Sequence, residues 1–425
     1  MKNVLAFLVL LFFGTVQAQY TNVPLDLGNG RGYPPCEPSI AISPKNPKYM
    51  VAGAILDKVY SSKDCGKTWE TARLESSHGV YGDPCIVADQ DGGFYYLHLS
   101  DPSGKGWMDS SLLDRIVCQY SKNKGKTWTD GQGIGLNGEK DQDKEWAAIN
   151  RQNGSIYVTW TQFDLYNSKA DQDSTVILFS KSTGKDAPFS EPVRINQIAG
   201  NCLDDDETVE GAVPATGTDG EIYVAWAYDE NIYFDRSTDD GETWLEKDII
   251  AGEIIGGWNQ EVPGVGRCNG MPVTMVDHSD GEYRGNIYIN YTDQRNGSDD
   301  TDVWIIKSSD QGNTWSDPIR VNDDAPGKHQ FFTWMAIDDS SGHIYVVFYD
   351  RRNHDGNMTD VYLATSTDGG KTFTNELISE SAFDPTGCPF FGDYNNISAQ
   401  DGHVRPIWTR YEDRKTSIWT AIIDK

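Results

Sequence analysis

Three segments of this sequence place arginine behind an aromatic residue: Tyr291-Thr-Asp-Gln-Arg295-Asn, Tyr349-Asp-Arg351-Arg352-Asn and Trp408-Thr-Arg410-Tyr. A guanidinium donates two parallel hydrogen bonds, which suits a carboxylate or a sulfate. In a chain with net charge −28, Arg295, Arg351, Arg352 and Arg410 are therefore the candidate anion site. The competing reading pairs each with a nearby acid such as Asp293, Asp350 or Asp302. His78, His98 and His329 are poised for proton transfer near neutral pH, with Tyr349 and Tyr394 as further acid or base candidates. A packing role is the alternative for each histidine. A row of acids, Glu37, Asp83, Glu145, Glu210 and Asp393, recurs along the chain, with Met271 and Phe332 in the remaining places. Crowded carboxylates raise one another's pKa, and Asp83, beside the histidines, is the candidate catalytic acid. Trp107, Phe163, Tyr166, Tyr228 and Tyr394 would stack on sugar rings or pack internally; Trp107 is the candidate binding residue among them.

These groups need a scaffold, and composition limits its kind. The 425 residues are 38% hydrophobic and 12% aromatic, enough for a large core, and 36 basic against 64 acidic side chains argue against a nucleic-acid partner. Lys2, the apolar run Val4–Val16 and Val16-Gln17-Ala18 read as a signal peptide over residues 1–18, so a secreted or periplasmic protein is expected. No later run reaches the ~18–20 apolar residues of a membrane span, and no membrane insertion is expected. Seven cysteines in an exported chain predict one or two loop disulfides beside buried thiols. Dinucleotide, phosphate-loop, zincin and serine-hydrolase motifs are absent. No cofactor is required. Asp204-Asp-Asp-Glu207 is a possible structural calcium site, with a solvated acidic loop the simpler expectation.

The organisation comes from a repeat, Ser-x-Asp-x-Gly-x-Thr-Trp. It is complete at Ser62–Trp69, Ser237–Trp244 and Ser308–Trp315, near-complete at Ser121–Trp128 and Ser366–Phe373, and worn at Ser180 and Gly184. Its glycines, 66, 125, 184, 241, 312 and 370, are spaced by 59, 59, 57, 71 and 58 residues. A period of roughly 58 gives seven units after Ala18. Each unit holds β-branched and aromatic runs such as Cys85–Ala88, Phe94–Leu99 and Arg115–Tyr120, with a further strand after the motif, as at Pro318–Val321. Four strands per unit predict an all-β, seven-bladed β-propeller with four-stranded antiparallel blades, a single domain over residues 19–425. The last unit is one strand short, and the orphan Thr21–Leu27 is expected to close it. The repeat turns mark one face of the ring. The long connections at 101–114, 163–174, 293–302 and 350–360 mark the other, where binding residues belong.

The motif resembles the Asp-box, or bacterial neuraminidase repeat, of sialidase-like propellers. That resemblance implies the fold, with the box as a structural turn, and leaves activity open. The aromatic-Arg-Ile-Pro segment of sialidases is missing; Arg31-Gly-Tyr-Pro-Pro stands nearest. A second, architectural resemblance is to seven-bladed polysaccharide lyases acting on uronates. Taken with the arginine, histidine and tyrosine groups above, they point to a carbohydrate-active enzyme on an acidic oligosaccharide or polysaccharide, which the signal peptide would export and which is expected to be a monomer. The expected reaction is β-elimination by a lyase or dehydratase. The alternatives are sialidase-like hydrolysis by two ring carboxylates or a tyrosine nucleophile, and a non-catalytic binding propeller.

Overall fold

The computed structural model describes residues 19–30 and 32–425; the signal-peptide reading and Arg31 lie outside them. Among the described residues, twenty-eight strands form seven four-stranded antiparallel sheets around an axis. Among the described residues the one helical turn is a 3-10 turn at Gly106–Met108, and no helix is long and apolar enough to cross a membrane. Blade one is Ser39–Ile42, Met50–Ala54, Lys58–Ser62 and Glu70–Arg73. The innermost strands of blades two to six are Cys85–Ala88, Asp141–Ile149, Glu210–Thr216, Val273–Val276 and Gln330–Ile337. Blade seven, Asn396–Gln400, His403–Glu412 and Lys415–Asp424, takes its outer strand from Thr21–Asp26, with Thr21 opposite Ile422.

Burial follows position in the blade. Strands such as Ile344–Asp350 are buried at every residue, whereas the outer Glu70–Arg73 is exposed throughout. Each complete repeat ties its serine, aspartate and threonine together within eight residues. Asp64 accepts from the Thr68 amide and hydroxyl, Ser62 accepts from the Gly66 amide, and the Trp69 indole donates to the Gly66 carbonyl. The aspartate and serine bonds recur at Asp239 and Asp310, but the Trp244 and Trp315 indoles have no partner among the described residues. The worn copy is displaced from its expected place. Ser182, not Ser180, ends the third strand of blade three opposite Ile156, as Ser237 ends its strand opposite Ile222. Gly184 thus stands where other boxes have aspartate.

The mouth of the channel also departs from the expected register. A β-bulge interrupts the inner strand of blade three between Asp143 and Trp146, blade four between Glu210 and Val213, and blade six between Phe331 and Trp334. At these bulges Lys144, Gly211 and Phe332 have positive φ, as Glu37 and Asp83 do in blades one and two. The equivalent positions are therefore Glu37, Asp83, Lys144, Gly211 and Phe332. The extra residue of each bulge shifts Glu145 and Glu210 out of the row proposed from sequence. At Gly211 a Cβ would lie 2.9 Å from Met271 and Trp258, so only glycine fits. Below the mouth, Trp146, Trp334 and Tyr394 close the axis, with ring centroids 4.4, 5.0 and 6.2 Å apart pairwise. This plug separates the mouth from a lower channel cavity of about 250 Å³.

All seven cysteines are free, five of them buried, which corrects the expected disulfides. The Asp204–Glu207 stretch is a partly exposed loop held by its own hydrogen bonds. Asp204 accepts from the Tyr166 hydroxyl, Asp205 from Asn201 and the Glu207 amide, and Asp206 from the Asn259 amide.

Candidate functional site

A cleft of about 270 Å³ opens over the channel mouth on the face opposite the repeat turns. Its rim is aromatic: Tyr33, Tyr81, Trp107, Tyr166 and Phe390. The Gly106–Met108 turn carries Trp107 outward, 64% exposed. Its ring lies 5.5 Å from Tyr166 and edge-on to Tyr81 at 6.4 Å. The floor is ionic. The Lys144 Nζ is 2.7 Å from Asp393 and 3.9 Å from Asp83. Arg267 bridges Asp204 and Asp393, 2.7 Å from each. The Asp393 amide donates to Glu37. Residues from the approaches to blades one, two, three, four, five and seven thus meet at one point.

This crowding separates the acids. Burial, partly offset by the Lys144 charge, pushes Asp143 up to about 7. Burial together with Asp83 and Asp393 holds Glu37 well above the usual carboxylate range. Burial would raise Asp393 too, but the charges of Lys144 and Arg267 hold it below its ordinary value. Carboxyls in one cleft whose environments drive them apart provide a proton donor beside an anion. Among the described residues no group of three or more His, Cys, Asp or Glu is arranged to hold a metal.

A second cleft of about 720 Å³ is lined by residues 259–268, Ser298, Asp299 and His329, and it also touches Arg267.

No protein-family model and no curated protein matches the sequence. Solved structures do match. An ulvan lyase described as a new family of polysaccharide lyase, solved also with -[GlcA(1-4)Rha3S]- bound, superposes with a TM-score of 0.56 at 13% identity, covering 95% of this chain and 96% of its own. A protein of unknown function from Dyadobacter fermentans gives 0.50 at 12%, covering 96% and 98%. A Hadza microbial sialidase gives 0.49 at 14%, covering 90% and 74%. The chain shares the ulvan lyase's fold. At this identity the propeller is common ground and the side chains of the site are not, so the site is read from this propeller's own geometry.

Of the residues proposed from sequence, Glu37, Asp83, Asp393, Trp107 and Tyr166 line the mouth cleft and His329 lines the second. The remainder are elsewhere. His98 is sealed inside blade two with Nδ1 on the Leu99 carbonyl, and burial lowers it to about 4. His78 is half-buried and lines neither cleft. The Tyr349 hydroxyl donates to the Thr409 carbonyl among Phe331, Phe383 and Phe391. Tyr394 belongs to the plug. The arginines do not converge. Arg295 is held by Asp293, Arg352 by Asp350 and Asp323, and Arg410 by the Ser381 carbonyl and Glu412. Asp302 instead takes Arg320. Arg351 differs: it is 2% exposed and donates only to neutral oxygens, Thr359 Oγ1 and the Pro263 carbonyl. Sequence reasoning missed Lys144, Arg267, Asp143, Tyr33 and Tyr81. The lone lysine in Asp141-Gln-Asp-Lys144-Glu and the lone arginine in Gly264-Val-Gly-Arg267 were the available signals.

Two measurements follow from this geometry. Trp107→Ala is expected to leave stability within about 0.5 kcal/mol, as exposed substitutions do. It should raise the KM or Kd for a bound glycan roughly tenfold, the worth of one aromatic contact; an unchanged affinity would remove Trp107 from the site. Stability should also depend on pH. Asp143, Glu37, Glu145 and Glu210 have raised values in the fold, so the native state binds more protons than the unfolded chain and loses stability as pH rises from about 4 through about 7 and beyond. His98 and His278, both lowered to about 4 by burial, oppose this below about pH 6.5 but are fewer. Asp393 contributes stability that is lost only as pH falls through its depressed value. The Tm at pH 5 should exceed that at pH 8 by roughly 5 °C; the opposite order would mean the buried acids ionise freely.

Proposed function

We propose that this propeller is a carbohydrate-active enzyme that binds an acidic glycan over the channel mouth and cleaves a glycosidic bond with carboxyl acid–base catalysis. The observation that carries this is Asp143, a carboxyl pushed up to about 7 in the wall of an aromatic-rimmed cleft. Trp107, with Tyr166 and Tyr81, offers faces for a pyranose ring. Asp143 gives its proton to the glycosidic oxygen as the C–O bond breaks. A water adds to the anomeric carbon, and Asp83 takes up the proton it sheds, so the net reaction consumes one water. Lys144 and Arg267 keep Asp393 ionised below the reacting carbon, where positive charge develops.

Elimination is the second reading, favoured by His329. This histidine lines the second cleft, its Nδ1 is occupied by Thr301, and burial lowers its pKa, so it is neutral and able to accept a proton. Behind the same wall Arg351, buried and with no carboxylate partner among the described residues, would add positive charge near a uronate bound there. His329 would take the proton alpha to the uronate carboxylate, the electrons would form the ring double bond, and the C–O bond to the leaving oxygen would break; solvent would protonate that oxygen and later take the proton back from His329, so no water is consumed.

The test is mass spectrometry on oligosaccharides built from the glucuronate and rhamnose-3-sulfate repeat, with other uronate oligosaccharides alongside. Products heavier in total by one water favour hydrolysis. Products of unchanged total mass absorbing near 230–240 nm, the range of a conjugated uronate double bond, favour elimination. Binding without turnover leaves a glycan-binding propeller, and neither binding nor turnover ends the carbohydrate reading.

A further inference from the structure

The mouth cleft and the second cleft have different characters and one residue in common. The first lies against blades one to three and is walled by Tyr33, Tyr81, Trp107 and Tyr166. The second lies against blades four to six, and its lining contains no Phe, Tyr or Trp. Arg267 faces both. It is not a loose rim side chain. Its guanidinium is clamped by Asp204, on the approach to blade four, and by Asp393, on the approach to blade seven, yet 31% of the side chain stays exposed. Asn269, two residues on, donates to the Asp393 carbonyl, so the loop bearing Arg267 is tied down at both points. A clamped and partly exposed cation between two open depressions is a floor they share, not a wall dividing them.

We infer that the two clefts are one groove crossing the channel mouth over Arg267, and that the ligand is a chain of several sugars cut within its length, not a terminal sugar removed from an end. The inference rests on the carbohydrate reading above. A pocket for a terminal residue needs a closed end beyond the catalytic carboxyls. Here Asp143 and Asp83 are in the mouth cleft, and beyond Arg267 the space enlarges from about 270 to about 720 Å³. Sugars on one side of the cut stack on Trp107 and Tyr166. Those on the other side present hydroxyl and acidic groups to Arg267, His329 and the backbone of residues 259–268. The two sides contribute different contacts, so binding energy accumulates with chain length and can be used at the reacting bond.

The experiment uses a size series of glucuronate–rhamnose-3-sulfate oligosaccharides, from disaccharide to octasaccharide, with products resolved by mass. The expected result is a kcat/KM at least tenfold higher for the hexasaccharide than for the disaccharide, with internal fragments as first products. Ser298→Trp, which places a bulky ring at an exposed loop position lining the second cleft, should shrink that length advantage. Circular dichroism and Tm show whether the variant folds, and Asp299→Trp, at the neighbouring exposed position, is the second route to the same block. Turnover with no length dependence and only terminal release would overturn the inference while leaving the carbohydrate reading intact. Absence of turnover and binding across the series would overturn both.

Discussion

Lys144→Met is expected to destabilise the protein by roughly 3–5 kcal/mol, the cost of removing one partner from a buried ion pair. Lys144 is 5% and Asp393 1% exposed, at 2.7 Å. Without the ammonium, Asp393 keeps only Arg267, and Glu37 and Asp83 press against an acid with less to balance it. The protein should unfold at lower denaturant with unchanged m-value. The double variant Lys144→Met with Asp393→Asn should recover at least half of the loss, because it removes the stranded charge together with its partner. A cost below 1 kcal/mol in the single variant would mean that the pair is hydrated, and that the cleft floor is not the dry ionic floor on which the chemistry above depends.

Asp143→Asn is expected to lower kcat by roughly 10²–10⁴-fold, the usual contribution of a positioned general acid, with little change in glycan affinity. The pH profile discriminates further. As an acid held near 7, Asp143 should make the activity of the unaltered protein fall as pH rises beyond about 7; in the variant that limb should vanish and the residual rate should be flat there. If the variant keeps the limb, another group donates the proton. If His329→Ala produces the larger loss, elimination in the second cleft becomes the better mechanism.

The architecture was legible in the sequence because the repeat is locally self-sufficient. Asp64, Ser62 and Thr68 satisfy one another within one turn, so the motif survives in sequence wherever the turn survives in space. The site was less legible for three physical reasons. Bulges at Lys144 and Gly211 move the inner-strand register by one, and a single-residue slip turns every side chain to another face. Arg267 sits in a glycine-rich loop without periodicity and gains its role only when ring closure brings Asp393 to it. The arginines that looked free are neutralised two residues away, Arg295 by Asp293 and Arg352 by Asp350. That spacing at a strand end is itself a readable sign of a structural pair. Trp107 and Asp83 were recognisable because each stands where the fold fixes position without further help, on a long upper connection and at a strand start.

The pairing of Thr21–Asp26 with Lys415–Asp424 has a consequence for how the chain is made. The earliest of these strands to leave the ribosome must wait for the last hairpin before it has a neighbour. Until then six sheets stand in an arc with a raw edge at either side, each a template for the wrong chain. Bringing segments almost four hundred residues apart together carries a large loop-closure entropy, so assembly should be slow and sensitive to crowding by its own kind. A truncation near the C-terminus should therefore surface first as aggregated nascent protein, before any loss of catalysis can be measured.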